Sequence, residues 1–151
     1  MGMRAASPNG WHDDFRYRLR FEASARGAYP SLHSTRTGHA SAAEIVYTLT
    51  VAVPEYREHR LVRARFANFT RPYLVAVTVD GPTESKHRYE DGSLCMWWPD
   101  DGPDLQWQPE EGLLRLIQYV RVHLFREAYW RDYDYWPGPE APHSADSKAA
   151  V

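Results

Sequence analysis

The sequence predicts an α+β domain whose helices pack on one face of an antiparallel sheet. Two patterns carry that expectation: a succession of alternating, β-branched runs through the middle of the chain, and a long apolar stripe of helical period towards its end. Size agrees with them. At 151 residues the chain is one domain's worth, enough to bury a single substantial core. The expected order is an N-terminal helix, an antiparallel meander, a cysteine-bearing segment and a long C-terminal helix.

Residues 1–10 and 143–151 read as flexible tails around a single domain over residues 11–142. The first tail is small and polar with Pro8, and the second (HSADSKAAV) has no apolar period. Asp13–Ala28 satisfies two patterns. Phe15, Tyr17, Leu19 and Phe21 alternate with Arg16, Arg18 and Arg20, as in a half-buried strand. Asp13 and Asp14 also make an N-cap signal, and Phe15, Leu19 and Ala23 share a helical face before Gly27 and Pro30. The helix is the reading preferred here.

Glu44–Val53 (EIVYTLTVAV) is rich in β-branched residues and stops at Pro54, so it reads as a strand. Arg60–Asn68 sets Leu61, Arg63 and Arg65 against Val62, Ala64 and Phe66, a second strand with one exposed face. Pro72–Asp80 is a third, ended by the Gly81-Pro82 turn. Strands joined in this way form a meander. After the turn-rich span Pro99–Pro103, Pro109-Glu110-Glu111 opens the long helix. Leu113, Leu116, Ile117, Val120 and Leu124 form its continuous stripe, with acidic residues in the first turn complementing the helix dipole. It is expected to end near Tyr129–Arg131.

Composition excludes several classes. Lys and Arg number 18 against 20 Asp and Glu, for a formal charge of −2, without the clustered basic excess that phosphate binding requires, so no nucleic-acid partner is expected. The longest apolar run, Ile45–Val53, is too short and too interrupted to span a bilayer, and no membrane association is expected. No secretory signal is expected ahead of the domain, since charged, apolar and small-residue regions do not succeed one another there, and Ala6 stands where a myristoylation motif wants Ser or Thr. The expected location is cytoplasmic. A single cysteine, Cys95, forbids an internal disulfide and a cysteine-rich zinc site. No metal or cofactor is assigned, since no histidine pair has ligand spacing.

Chemistry concentrates in His87–Met96 (HRYEDGSLCM). A thiol with a free pKa of about 8.5 is a nucleophile once ionised, and His87 can fold back towards it across the Gly92 turn. The same thiol can equally be a small buried hydrophobe. Asp100, Asp101 and Asp104 follow on a loop where a carboxylate can orient or deprotonate an amine, or simply serve a solvated turn. His143 can approach the thiol from the chain's end. His12, His33, His39 and His59 read as surface residues, and His123, beside the helical stripe, as core or rim. Trp107 reads as core; Trp97, Trp98 and Trp136 fit either a core or a recognition groove.

The run His87…Gly92-Ser93-Leu94-Cys95-Met96, followed by Trp107-Gln108-Pro109 and a helix, resembles the active-site region of ubiquitin-conjugating enzymes. That family carries His-Pro-Asn, a few residues, Gly-x-Ile-Cys-Leu, then Trp-x-Pro opening a helix. The resemblance spans roughly residues 13–130, and is strongest to divergent bacterial members found in ubiquitin-like conjugation operons or cyclic-oligonucleotide antiphage systems. Trp136–His143 has their flavour. The family's Pro-Asn is replaced by Arg88-Tyr89.

The resemblance implies a transferase in which Cys95 takes a protein C-terminus as a thioester from an activating-enzyme-like partner, then passes it to an amine or other nucleophile. The implied cargo is a ubiquitin-like protein or the C-terminus of a cyclic-oligonucleotide synthase. The implied site is Cys95, with His87 ordering the loop, Asp100 or Asp101 near the acceptor, and Tyr89, Ser93 or backbone N–H groups replacing the family asparagine as oxyanion donor. The first helix is implied to dock the activating enzyme. Three other functions fit the residues: a non-catalytic module of the same fold, a Cys–His hydrolase using His87 or His143, and an interaction domain in which the tryptophans bind a peptide.

Overall fold

Period-2 alternation of apolar side chains becomes, in space, one buried sheet face. The computed structural model describes residues 14–38, 43–66, 75–98, 100–102 and 104–140; the expectations for both tails, for residues 67–74, and for His12, His39 and His143 lie outside them. The described chain is α+β: a four-stranded antiparallel sheet in the order β1-β2-β3-β4, with two α-helices. Strand β1 is His33–Thr37, β2 Glu44–Ala52, β3 His59–Phe66 and β4 Val75–Val79. In β2 and β3 the register sets Ile45 opposite Phe66, Tyr47 opposite Ala64 and Leu49 opposite Val62, so every inward residue meets an inward partner. Leu61, Arg63 and Arg65 are exposed on the other face, as the sequence pattern requires.

The N-terminal segment resolves as a helix, α1 (Phe15–Ala28), and Asp14 is its cap: the Oδ1 atom accepts the Tyr17 amide at 3.0 Å. The helix wins because its buried stripe is Tyr17, Phe21, Glu22 and Ala25, while Phe15 and Leu19 remain exposed. Glu22 is buried there because it is bonded twice, by the Tyr47 hydroxyl at 2.7 Å and by Arg26 Nε at 2.8 Å. Burial, together with that neighbouring carboxylate, pushes the Tyr47 phenol far up.

The long helix, α2, spans Leu113–Tyr133. It does not begin at Pro109. Pro109–Glu111 is a separate turn of 3-10 helix, and Gly112 breaks the two apart at φ 84°, a left-handed value that glycine adopts without a Cβ penalty. The Gly112 carbonyl accepts the Trp107 indole N–H at 3.0 Å, which fixes the break. The expected acidic first turn therefore belongs to the 3-10 turn, where the Glu111 carboxylate accepts the Gln108 amide at 2.7 Å.

Trp107, fully buried, packs its ring 6.0 Å from Phe21 and 6.1 Å from Phe66, which are themselves 5.8 Å apart edge-to-face. This aromatic cluster joins α1, the sheet and the connection into α2. Strand β1 was not expected. All its residues (HSTRT) are exposed, so it has no alternation to read, and it exists by pairing with β2, with a further bond from Arg26 of α1 to the Ser34 hydroxyl at 3.3 Å. Among the described residues no helix is long and apolar enough to cross a membrane.

Candidate functional site

Beyond β4 the chain turns at Asp80–Gly81 and returns as a short hairpin carrying the cysteine. Arg88 and Leu94 bridge antiparallel, and the Tyr89 amide bonds the Ser93 carbonyl at 2.9 Å. The Gly92 amide bonds the Tyr89 carbonyl at 2.9 Å, closing a tight turn with Gly92 at φ 85°, a position that suits glycine. Asp91 Oδ1 accepts from both the amide and hydroxyl of Ser93, at 2.9 and 2.5 Å. Those bonds depress the Asp91 acid below its ordinary range. They also commit the Ser93 hydroxyl, which is buried, to the turn.

The hairpin is fastened in two directions. The Leu94 amide bonds the Val77 carbonyl of β4 at 2.8 Å. On the other side Arg88 forms a two-pronged pair with Glu127 of α2: Nε to Oε2 at 2.6 Å and Nη2 to Oε1 at 2.8 Å. Its Nη1 reaches back to the Gly92 carbonyl at 2.9 Å. The side chains of Arg88 and Glu127 are 7% and 0% exposed. Burial alone would raise the Glu127 acid; Arg88, His123 and Ser85 overcome it and hold the group at about 2.

Cys95 emerges half-buried from this frame. Its amide bonds the His87 carbonyl at 3.1 Å, and its thiol lies 3.8 Å from the Trp97 carbonyl. The Tyr89 phenol is near enough to the sulfur to act on its acidity. Burial pushes the thiol's pKa up, and the Tyr89 contact pulls it partly back. The Tyr89 phenol is in turn raised, by burial of the hydroxyl and by the thiol, although the residue as a whole is 43% exposed. Alkylation of Cys95 by iodoacetamide is therefore expected to keep accelerating from pH 7 to beyond pH 9. A rate that levels off below pH 8 would mean an activated thiolate.

His87 is present in the site but faces elsewhere. It is 1% exposed, its Nε2 bonds Glu140 Oε1 at 3.0 Å, and its ring lies 4.4 Å from the Trp136 ring. It meets Cys95 through its backbone. Asp101 is occupied too: its carboxylate accepts the Trp98 amide at 3.0 Å, and Gln106 Nε2 ties the Trp98 and Asp101 carbonyls at 3.1 and 2.7 Å. Asp100 is exposed on the same turn. The structure thus brings together Cys95, Tyr89 and the His87 backbone, and uses Asp101 to close the loop beyond them.

His123 is buried, bonding the His87 carbonyl through Nε2 at 3.1 Å. Trp136 is buried between the two imidazoles, and Trp97 packs edge-on against Tyr119 of α2 at 5.9 Å. Sequence reasoning missed Arg88, Glu127 and Glu140. A signal existed for Glu127: it falls three residues after Leu124 on the apolar stripe, where an acid has to be paired. Among the described residues no group of three or more His, Cys, Asp or Glu side chains is placed to hold a metal ion.

Fold and site together define an α+β domain that presents one half-buried thiol on an anchored hairpin. No family of known proteins, no curated protein and no solved structure matches the chain.

Proposed function

We propose that this chain is a ubiquitin-conjugating-like carrier of the divergent bacterial type, which holds a protein C-terminus as a thioester on Cys95. The Cys95 sulfur attacks the thioester on an activating-enzyme-like partner and expels that partner's thiol. An amine or other nucleophile then attacks the carried carbonyl, and Cys95 leaves as thiolate, taking a proton. The cargo is a ubiquitin-like protein or a cyclic-oligonucleotide synthase C-terminus, and the setting is antiphage defence in the cytoplasm.

The observation that carries the reading is the pairing of a reachable thiol with a hydroxyl. Cys95 is half-buried and the phenol of Tyr89, next to the residue replacing the family's proline, acts on its acidity. The order helix, meander, cysteine segment, helix supports it as well. A thiol of raised pKa is a poor leaving group, which suits a carrier that must keep its cargo until an acceptor arrives. The exposed Phe15 and Leu19, flanked by Arg16 and Arg20, offer the contact for the activating enzyme. With the His87 ring bonded to Glu140, a Cys–His hydrolase is less favoured; the non-catalytic module draws support only from the missing asparagine and the weakly acidic thiol.

The test is intact mass of the protein recovered without reductant from cells expressing its genomic neighbours. The wild type is expected to carry a thiol-labile adduct, and Cys95→Ser a more persistent ester of matching mass, which names the cargo. No adduct on either, with a sulfur slow towards alkylation, rejects the carrier.

A further inference from the structure

After α2 the chain doubles back as a strap. Asp134 ends the helix in the left-handed region at φ 54°, its amide on the Trp130 carbonyl at 2.8 Å. Four residues on, Gly138 stands at φ 133°, and any Cβ there would lie 2.6 Å from the Arg126 guanidinium. The strap is thereby pressed against α2, and burial beneath it lowers the Arg126 pKa.

This path delivers two side chains to His87. Trp136 packs 4.4 Å from the His87 ring and 5.3 Å from that of His123. Glu140 accepts from His87 Nε2 at 3.0 Å and from Lys86 Nζ at 2.9 Å. Trp136 is 6% exposed, and its buried indole N–H has no partner among the described residues. Its seat is made by contact of the ring with the two imidazoles. His87 passes the restraint on, because its carbonyl holds the Cys95 amide at 3.1 Å.

We propose that Trp136 and Glu140 are positioning residues for Cys95, acting through His87, so that seating of the strap sets how readily the thiol reacts. The inference does not depend on what Cys95 carries. The strap lies 41 and 45 residues downstream in sequence yet reaches the cysteine through one intervening residue. Lifting it removes the Trp136 and Glu140 contacts from the His87 ring, leaves the His87 carbonyl to His123, loosens that carbonyl from the Cys95 amide and opens the sulfur to reagents.

The test compares iodoacetamide alkylation of Cys95 and hydrogen exchange of its amide in the full chain and in Glu140→Ala, Glu140→Gln and Trp136→Phe. Loss of one hydrogen bond of about 1 kcal/mol corresponds to about a fivefold change. Glu140→Ala is expected to speed both processes by that factor. Glu140→Gln, which keeps an oxygen acceptor for His87, is expected to restore them. Trp136→Phe is expected to speed both while leaving the thermal midpoint of the sheet and helices in place. Rates unchanged in Glu140→Ala and Trp136→Phe overturn the proposal. So does a rise that glutamine fails to reverse, or one that comes with collapse of the near-ultraviolet circular dichroism. Alkylation needs no cargo, so a protein that forms no thioester would fail the mass test and could still pass this one.

Discussion

Glu127→Ala is expected to destabilise the protein by about 3–5 kcal/mol, because it strands a buried guanidinium without its carboxylate. Urea unfolding at pH 7 measures it. Two features make the expectation specific. Arg88 and Glu127 share two hydrogen bonds at 2.6 and 2.8 Å, and neither side chain is more than 7% exposed. The double replacement Arg88→Leu with Glu127→Leu should cost far less than the single one, since no charge is left buried. If the two cost the same, the pair contributes nothing beyond packing. Acid gives an independent reading. Glu127 titrates at about 2 in the folded chain against about 4.3 when unfolded. Its folded pKa is the lower, so its contribution is complete above the unfolded value and is lost as pH falls from there towards 2. Over that window the wild type should lose about 3 kcal/mol on account of this group. Glu127→Gln should flatten the decline.

If Cys95 carries a thioester as proposed, and Tyr89 serves as its oxyanion donor, Tyr89→Phe is expected to leave loading possible and to slow discharge by about 10²–10³, the usual effect of losing one donor to a developing oxyanion. Single-turnover transfer to free lysine or hydroxylamine, started from preloaded protein, reads the step directly. Loading should also slow modestly, because the phenol is the contact that lowers the thiol's pKa and burial would then act unopposed. Equal discharge rates in the two proteins would leave Tyr89 without a part in the chemistry and return the donor to backbone N–H groups.

The core was legible because its periods are clean. The inward residues of β2 and β3 alternate without exception, and Leu113, Leu116, Ile117, Val120 and Leu124 are all buried. Strand β1 was not legible because an edge strand exposed on both sides has no hydrophobic alternation. The start of α2 was misread for a local reason: proline followed by acidic residues is as good a start for a 3-10 turn as for a helix, and Gly112 decides between them. The cysteine segment stood out in sequence, whereas its frame did not. Arg88 meets Glu127 across 39 positions and His87 meets Glu140 across 53, separations at which no local pattern speaks. The carbonyl of His87 holds the Cys95 amide while its ring is bonded to Glu140, partners that no local pattern around His87 announces.

The bond from the Leu94 amide to the Val77 carbonyl has a consequence for how molecules of this protein meet one another. A bare outer strand is a template on which a second chain can continue a sheet. Here one rim, β1, offers only hydrophilic side chains, including Arg36. The opposite rim is occupied at Val77 by the residue that immediately precedes the cysteine. Any event that peels the hairpin away to free the thiol would also uncover that rim, one residue from the sulfur. Solubility and reactivity are therefore guarded by the same few atoms, and a variant tuned to react faster by loosening the hairpin should be the first to form fibres or precipitate.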